Sequence, residues 1–280
     1  MTRIAVITPA SHNRLAHLHR QRRFLREVLP PHHDVVRIEA WLDSEPPPPF
    51  DGVIHVHVPP GRDGMRVGAG RNAAAEIAVS RDVDLLVFLD VDCLPGPQLL
   101  DRYAEAIRSH PNGLLCGPVT YLESVQRPSA AEQLEAMVRP HPVRPNPAVG
   151  VVATADANEY DLFWSLSFAV TPATWAQLGG FDERYEGYGA EDTDLGRRAR
   201  SQGVPLHWVG GAHAFHQWHP AGTPPWRHLD DILRNGALFA EQWGEWPMGG
   251  WIDEFVAAGA VESHDGGYRR TVRAPAVPGP

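Results

Sequence analysis

The sequence predicts an α/β fold, a mostly parallel central sheet flanked by helices, in a single domain. Three observations lead there. Apolar runs alternate with helix-like segments through the first 120 residues. The runs are apolar throughout, which suits strands covered on both faces. The 280 residues, 43% of them hydrophobic, suffice for one large core.

The elements follow in order. Ile4 to Thr8 is a strand-like run. From Leu15 to Leu29, Leu18, Phe24, Leu25 and Val28 recur among basic residues, the pattern of an amphipathic helix. Val35 to Ile38 is a second strand, and SEPPPPFDG is a proline-rich turn region. Val53 to Val58 is a third strand. GRNAAAEIAVS, residues 70–80, is alanine-rich and helical, with Gly70 placed before its start. Leu85 to Leu89 is the fourth strand, Leu99 to Ile107 a helix, and Leu114 to Thr120 a further strand. Residues 121–163 differ: RPHPVRPNP fits neither a regular helix nor a central strand, so a long, mobile excursion is expected. A helix through Trp175 is broken by Gly179-Gly180. Another follows EGYGAED, with Leu195 and Ala199 on one face and Gly203 as its C-terminal cap. Leu206 to Val209 is strand-like. The tail from Ala257, ending RAPAVPGP, is expected to be poorly ordered.

The formal charge of -9 argues against a nucleic-acid groove. It also means that a diphosphate-bearing ligand needs a cation between itself and the protein. No apolar run reaches the roughly 18 to 20 residues of a bilayer span. The apolar part of MTRIAVITPA is too short for a signal peptide, so a soluble, cytoplasmic protein is expected. Cys93 and Cys116 form no CxxC pair and are read as packing residues.

Two acidic motifs carry the chemistry. In LDVDCLPG, Asp90 and Asp92 directly follow an apolar strand. Burying either carboxylate unpaired is costly, and ligands of open α/β sheets bind beyond the carboxyl ends of strands. In extended backbone, residues two apart share a side, so both carboxylates can face one pocket. In EGYGAED, Glu191 and Asp192 stand at the start of a helix, whose dipole favours an ionised carboxylate. Asp192 then reads as a general base or, with Thr193, as a simple helix cap. Downstream, His213, His216 and His219 recur at intervals of three. With no cysteine nearby a structural zinc cage is disfavoured. A mixed carboxylate and imidazole set suits Mn2+ or Mg2+.

Taken together, TPAS, GRNAAA, LVFLDVDCLPG, GGFDERYEGYGAEDTDLGRRA and VGGAHAFH resemble, in order and spacing, the inverting GT-A glycosyltransferases. The family-two and β-1,4-galactosyltransferase-like groups are nearest, and the likeness covers roughly residues 3–219. It implies a GT-A type, Rossmann-like sheet and a nucleotide-sugar donor, UDP by family frequency. It divides residues 1–256 into a nucleotide-binding half to residue 120 and an acceptor-binding half beyond. It implies that Asp92 ligates the metal with His216, and with His213 where the galactosyltransferase group has methionine. Asp90 would contact the ribose or the metal's water shell, Asp192 would deprotonate the acceptor hydroxyl, and Glu191 would hold the acceptor or orient that base. Thr8 and Pro9 would line the nucleotide pocket, with Arg71 and Asn72 nearby. Trp164 would border the sugar or pack in the core. Trp218 and Trp226 are placed in a loop over the site, and Trp243, Trp246 and Trp251 in packing at the C-terminal helix.

Other readings of the DVD carboxylates remain open. A haloacid-dehalogenase-like phosphatase also ends a strand with DxD, but Leu94 stands where Thr or Val is usual. A nucleotidyltransferase would begin with a glycine-rich basic loop, which ITPASHNRLAHLHR lacks. A non-catalytic binding module is the third.

Overall fold

The computed structural model describes residues 1–220 and 222–271. Its main sheet has eight strands in the order β3-β2-β1-β4-β9-β6-β10-β8. These are β1 (Arg3–Ala10), β2 (Asp34–Trp41), β3 (Ile54–His57), β4 (Leu85–Leu89), β6 (Leu114–Cys116), β8 (Val152–Thr154), β9 (Ser167–Val170) and β10 (Leu206–Val209). The β1, β2, β3 and β4 strands run parallel, as do β6 and β10, whereas β9 and β8 pair antiparallel to their neighbours. The expectation of a mostly parallel sheet therefore holds through β4, and β9 then enters between β4 and β6. SFAV, at β9, is too short and too close to aromatic residues for its sequence to announce a strand.

Alternation explains why the runs are apolar throughout. Ala5 and Ile7 of β1, with Leu86 and Phe88 of β4, face one core. That core is closed by α2 (Val67–Val79), α4 (Pro172–Leu178) and α5 (Glu191–Ser201). Ile4, Val6, Leu85, Val87 and Leu89 face a second core, closed by α3 (Leu99–Ser109) and Leu25 of α1 (Leu15–Val28). Both faces of β1 and β4 are thus removed from water. The α2 helix starts three residues before Gly70 rather than after it. Gly70 lies where a Cβ would come within 2.6 Å of Leu42, so its missing side chain lets α2 lie close on the sheet.

A smaller sheet continues the main one. Its strands are β5 (Cys93–Pro95), β7 (Val119–Tyr121) and β11 (Ala214–His216), in the order β5-β11-β7. Each extends a main-sheet strand past a break: β4 through the DVD turn, β6 through Gly117-Pro118, and β10 through Gly210-Gly211. The single strand expected over Leu114 to Thr120 is therefore two. Gly117-Pro118 interrupts it because proline cannot donate to a ladder.

Residues 121–163 are better anchored than expected of a mobile excursion. They contain β8 and two 3-10 turns, Ala131–Met137 and Ala157–Leu162, and Leu134 packs fully buried beside Phe24, Leu94 and Phe215. The poorly ordered tail is likewise a correction in part. After α6 (Leu229–Trp243) and α7 (Gly249–Ala257), β12 (Val261–His264) and β13 (Gly267–Arg270) form a hairpin. Trp246 packs edge-on against Tyr268 of that hairpin at 5.0 Å. Residues 272–280 lie outside the described residues.

Phe88 stacks on Phe168, with ring centroids 4.4 Å apart, and tilts against Trp175 at 4.7 Å. Phe88→Ala is expected to lower unfolding free energy by about 3–5 kcal/mol, checked by urea denaturation.

Candidate active site

The site lies where the three strands break. After β4 the chain forms a tight turn in which the Cys93 N–H donates to the Asp90 carbonyl at 2.8 Å. The turn is held from outside. Gln21 of α1, 1% exposed, donates its amide to the carbonyls of Asp90 (2.6 Å) and Cys93 (2.9 Å). Its Oε1 accepts from the Thr8 hydroxyl at 3.1 Å. The Asp90 N–H reaches the Leu166 carbonyl, and the Gln217 N–H reaches the Asp92 carbonyl at 2.7 Å. The backbone polar groups released by the strand break thus find partners, as buried backbone must. One expectation changes here. Asp90 and Asp92 are brought near one another by a turn, not by extended alternation. Thr8 and Pro9 are buried at the end of β1, and the Thr8 hydroxyl donates to Gln21, which joins them to the DVD turn. Gln21 carried no sequence signal, because a glutamine on a helix is ordinarily solvated.

The two aspartates have different partners. Asp90 Oδ1 accepts from Arg71 Nη2 at 2.5 Å. Arg71 is 2% exposed, and its Nη1 lies 3.8 Å from Glu191 Oε1. Its guanidinium also stands 5.0 Å from the Phe181 ring centroid. Asn72 instead faces away from Asp90. It donates to the Phe181 carbonyl and the Glu183 carboxylate and accepts from the Phe181 N–H, which latches the GGFDE segment to α2.

Glu191 and Asp192 open α5. Its N-cap is Ala190, so Asp192 does not cap the helix but sits in its first turn, accepting from the Thr193 N–H at 2.8 Å. The approach is a sharp bend: Gly187, Gly189 and Ala190 all have positive φ, +77° at Ala190. For alanine this is uncommon backbone, and such strain gathers at functional sites. Burial raises both carboxyls. Glu191 rises to about 7, through burial first and the Asp192 charge second, with Arg71 pulling the other way. Asp192 rises through burial, opposed by the Thr193 N–H and Arg71. Asp194, two residues on, is different. It is fully buried, pairs with Arg198 at 2.8 Å, and accepts from Gln242 and Trp243 of α6 at 3.0 Å each.

Asp92 belongs to a separate group. Its Oδ2 lies 3.6 Å from His216 Nε2 and 3.5 Å from His219 Nε2, with the three ligand atoms within 4.8 Å of one another. Burial would raise the Asp92 carboxyl, but His219, His216 and Arg14 together hold it well below the carboxylate range. Arg14 Nη2 stands 3.4 Å from His219 Nε2, and His17 approaches His219 edge-on. Neither was singled out in the sequence: His17 reads as part of the polar side of α1, and Arg14 immediately precedes that helix. One carboxylate and two convergent imidazoles with an open side fit a divalent cation such as Mn2+. His213 is a correction. It lies outside this group, 8% exposed, with Nε2 bonded to the Thr120 hydroxyl at 2.7 Å, and burial lowers it to about 4. His213 immediately precedes β11 and stacks on Phe215, 4.5 Å between ring centroids, and Phe215 alternates with His216 along the strand.

Other predicted residues occupy the rim or the core. Trp164 is half-buried, edge-on to His141 at 5.0 Å and 5.2 Å from the Arg144 guanidinium. Trp218 is exposed, whereas Trp226 packs on Phe255. Cys93 and Cys116 are fully buried, and burial raises both thiols, which leaves them packing residues.

A mixed α/β sheet with its strands broken at one level, an acid in the first break and imidazoles after the last, is a GT-A fold. Solved structures agree. GalNAc-T7 with UDP, GalNAc and Mn2+ superposes over 92% of this chain and 50% of its own, with TM-score 0.58 and 14% identity. S. aureus TarS 1-349 in complex with UDP-GlcNAc superposes over 85% and 66%, with TM-score 0.55 and 12% identity. Residues 150–219 match the family model for the N-terminal domain of galactosyltransferase. Validoxylamine A glucosyltransferase from Streptomyces hygroscopicus subsp. jinggangensis is 29% identical over 163 residues, 51% of this chain. The same enzyme from subsp. limoneus is also 29% identical. The matched region is little more than a third of each curated relative, 37% and 34%.

The raised Glu191 carboxyl has a consequence for stability. Its folded value lies above the ordinary 4.5, so the folded state keeps a proton that the unfolded state releases. The parent should therefore lose stability relative to Glu191→Gln as pH rises from 4.5 to about 7, with no further change above. Urea melts of both proteins across that range check the sign.

Proposed function

We propose that the protein is a metal-dependent inverting glycosyltransferase that moves a sugar from a nucleotide-sugar to an acceptor hydroxyl. The observation that carries this reading is the convergence of Asp92, His216 and His219 in a GT-A cleft that also holds Glu191 and Asp192. UDP is the nucleotide favoured, since the GalNAc-T7 and TarS structures contain UDP or UDP-GlcNAc. The acceptor is a hydroxyl compound reached from the side of residues 121–163. No described helix is long and apolar enough to cross a membrane, and a cytoplasmic place of action is part of the proposal.

Asp192 takes the proton from the acceptor hydroxyl. The freed oxygen attacks the anomeric carbon from the face opposite the leaving group, the carbon–oxygen bond to the diphosphate breaks, and its electron pair stays on the diphosphate. The anomeric configuration inverts. Glu191, between Arg71 and Asp192, holds the acceptor or the base in line. Asp92, His216 and His219 would hold Mn2+ or Mg2+, which as a Lewis acid offsets the diphosphate charge that a protein of net charge -9 otherwise repels. Arg14, at the edge of this group, adds a fixed positive charge. Arg71 keeps Asp90 paired, and this argues against the phosphatase reading, in which the first acid of DxD must be a free nucleophile.

Nucleotides and nucleotide-sugars, with and without Mn2+, are expected to raise the melting temperature only as metal-dependent pairs. Absence of any metal-dependent shift would overturn the assignment. Asp192→Asn should cut transfer by about 10²–10⁴-fold yet keep donor binding, whereas Asp92→Ala should lose both. His219→Ala should weaken Mn2+-dependent binding and His213→Ala should leave it intact. Transfer at the parental rate by Asp192→Asn would place the base elsewhere.

A further inference from the structure

Among the described residues, one other group of acidic and imidazole side chains converges as the Asp92 group does. His32 and His33 close the loop between α1 and β2, and Asp101 lies in the first turn of α3. Asp101 Oδ1 is 3.0 Å from His32 Nε2 and 3.3 Å from His33 Nε2. All three ligand atoms lie within 4.8 Å of one another. Yet this Oδ1, buried from solvent, accepts no hydrogen bond. The ring N–H groups are close to it without being aimed at it, an arrangement that leaves a buried carboxylate oxygen without the partner it ordinarily finds. The His33 side chain is 4% exposed and fixed, while His32 is 64% exposed and leaves one side open to water. The two rings lie 4.4 Å apart, centroid to centroid.

We propose that His32, His33 and Asp101 form a second divalent-cation site with the same donor set as the cleft group, for which Zn2+, a tight binder of imidazole and carboxylate ligands, serves as the probe. A cation among the three gives Asp101 Oδ1 a partner and uses both imidazoles as neutral ligands. One contact is given up. The Thr2 N–H reaches His33 Nδ1 at 3.4 Å, and ligation through Nε2 puts the ring proton on Nδ1. That bond is long, so its loss costs little. The site is separate from the reaction, and its effect is structural. It ties the loop before β2 to α3 in the folded chain alone, so binding stabilises the fold.

The test uses the full-length, untagged chain stripped with EDTA, with Zn2+ alone as probe. Bound metal is measured by elemental analysis after dialysis, and melting temperature in parallel. His216→Ala/His219→Ala removes the cleft group and should still bind about one equivalent, with a raised melting temperature. Adding His32→Ala should abolish both the equivalent and the shift. Asp101→Asn in the same background should do likewise, and circular dichroism verifies that each variant is folded. No bound zinc in His216→Ala/His219→Ala, or an unchanged equivalent after either further substitution, would overturn the site.

Discussion

The site depends on a single buried cation. Arg71 lies beneath the cleft, 2% exposed, between Asp90 of the DVD turn and Glu191 of α5. An arginine so buried is tolerable only where carboxylates meet it. The carboxylates, in turn, must come from opposite sides of the cleft. The pairing therefore fixes the distance between the two acidic motifs, and with it the separation of Asp92 from Asp192. Arg71 can occupy this place because α2 lies close on the sheet, which Gly70 permits by presenting no Cβ to Leu42.

Around this pair the cleft separates two electrostatic regimes. Asp92, facing His216, His219 and Arg14, is held ionised. Asp90, Glu191 and Asp192, each near the others and Arg71, are raised by burial. On the proposed reading, the carboxylate that holds a divalent cation must be ionised, and the carboxylate that acts as base must be able to take up a proton. The fold supplies both from the same residue types by varying what surrounds them. Asp92 faces two imidazoles and Arg14, whereas Asp90, Glu191 and Asp192 share the single charge of Arg71.

Much of the fold was legible in the sequence because apolar runs and helix periodicity report burial directly. The β1, β2, β3 and β4 strands and α1, α2, α3 and α5 lie where the patterns put them. What escaped was decided by tertiary pairing. The β9 strand is four residues that acquire strand geometry between β4 and β6, and the hairpin after α7 rests on Trp246. The site divides the same way. The DVD and GAED motifs mark their own positions, and the spacing of three marks the histidines, but it cannot say which of them share a face. His213, just before β11, is turned to Thr120, and the loop after that strand brings His219 back. Gln21, Arg14 and His17 were invisible for a related reason. Their importance lies in what they reach across space, and the sequence records only that they are polar.

The link from Asp194 to Gln242 and Trp243 joins the helix bearing Asp192 to a helix some 50 positions later in the chain. During synthesis the N-terminal portion emerges and folds first. The sheet, the DVD turn and the histidines can thus be assembled while α6 is still inside the ribosome. Until Trp243 emerges, the buried Asp194 carboxylate lacks two of its donors and α5 lacks its brace. The Asp92 group is therefore in place before the helix bearing Asp192 has its brace, and on the proposed reading the cation site of a nascent chain precedes its base.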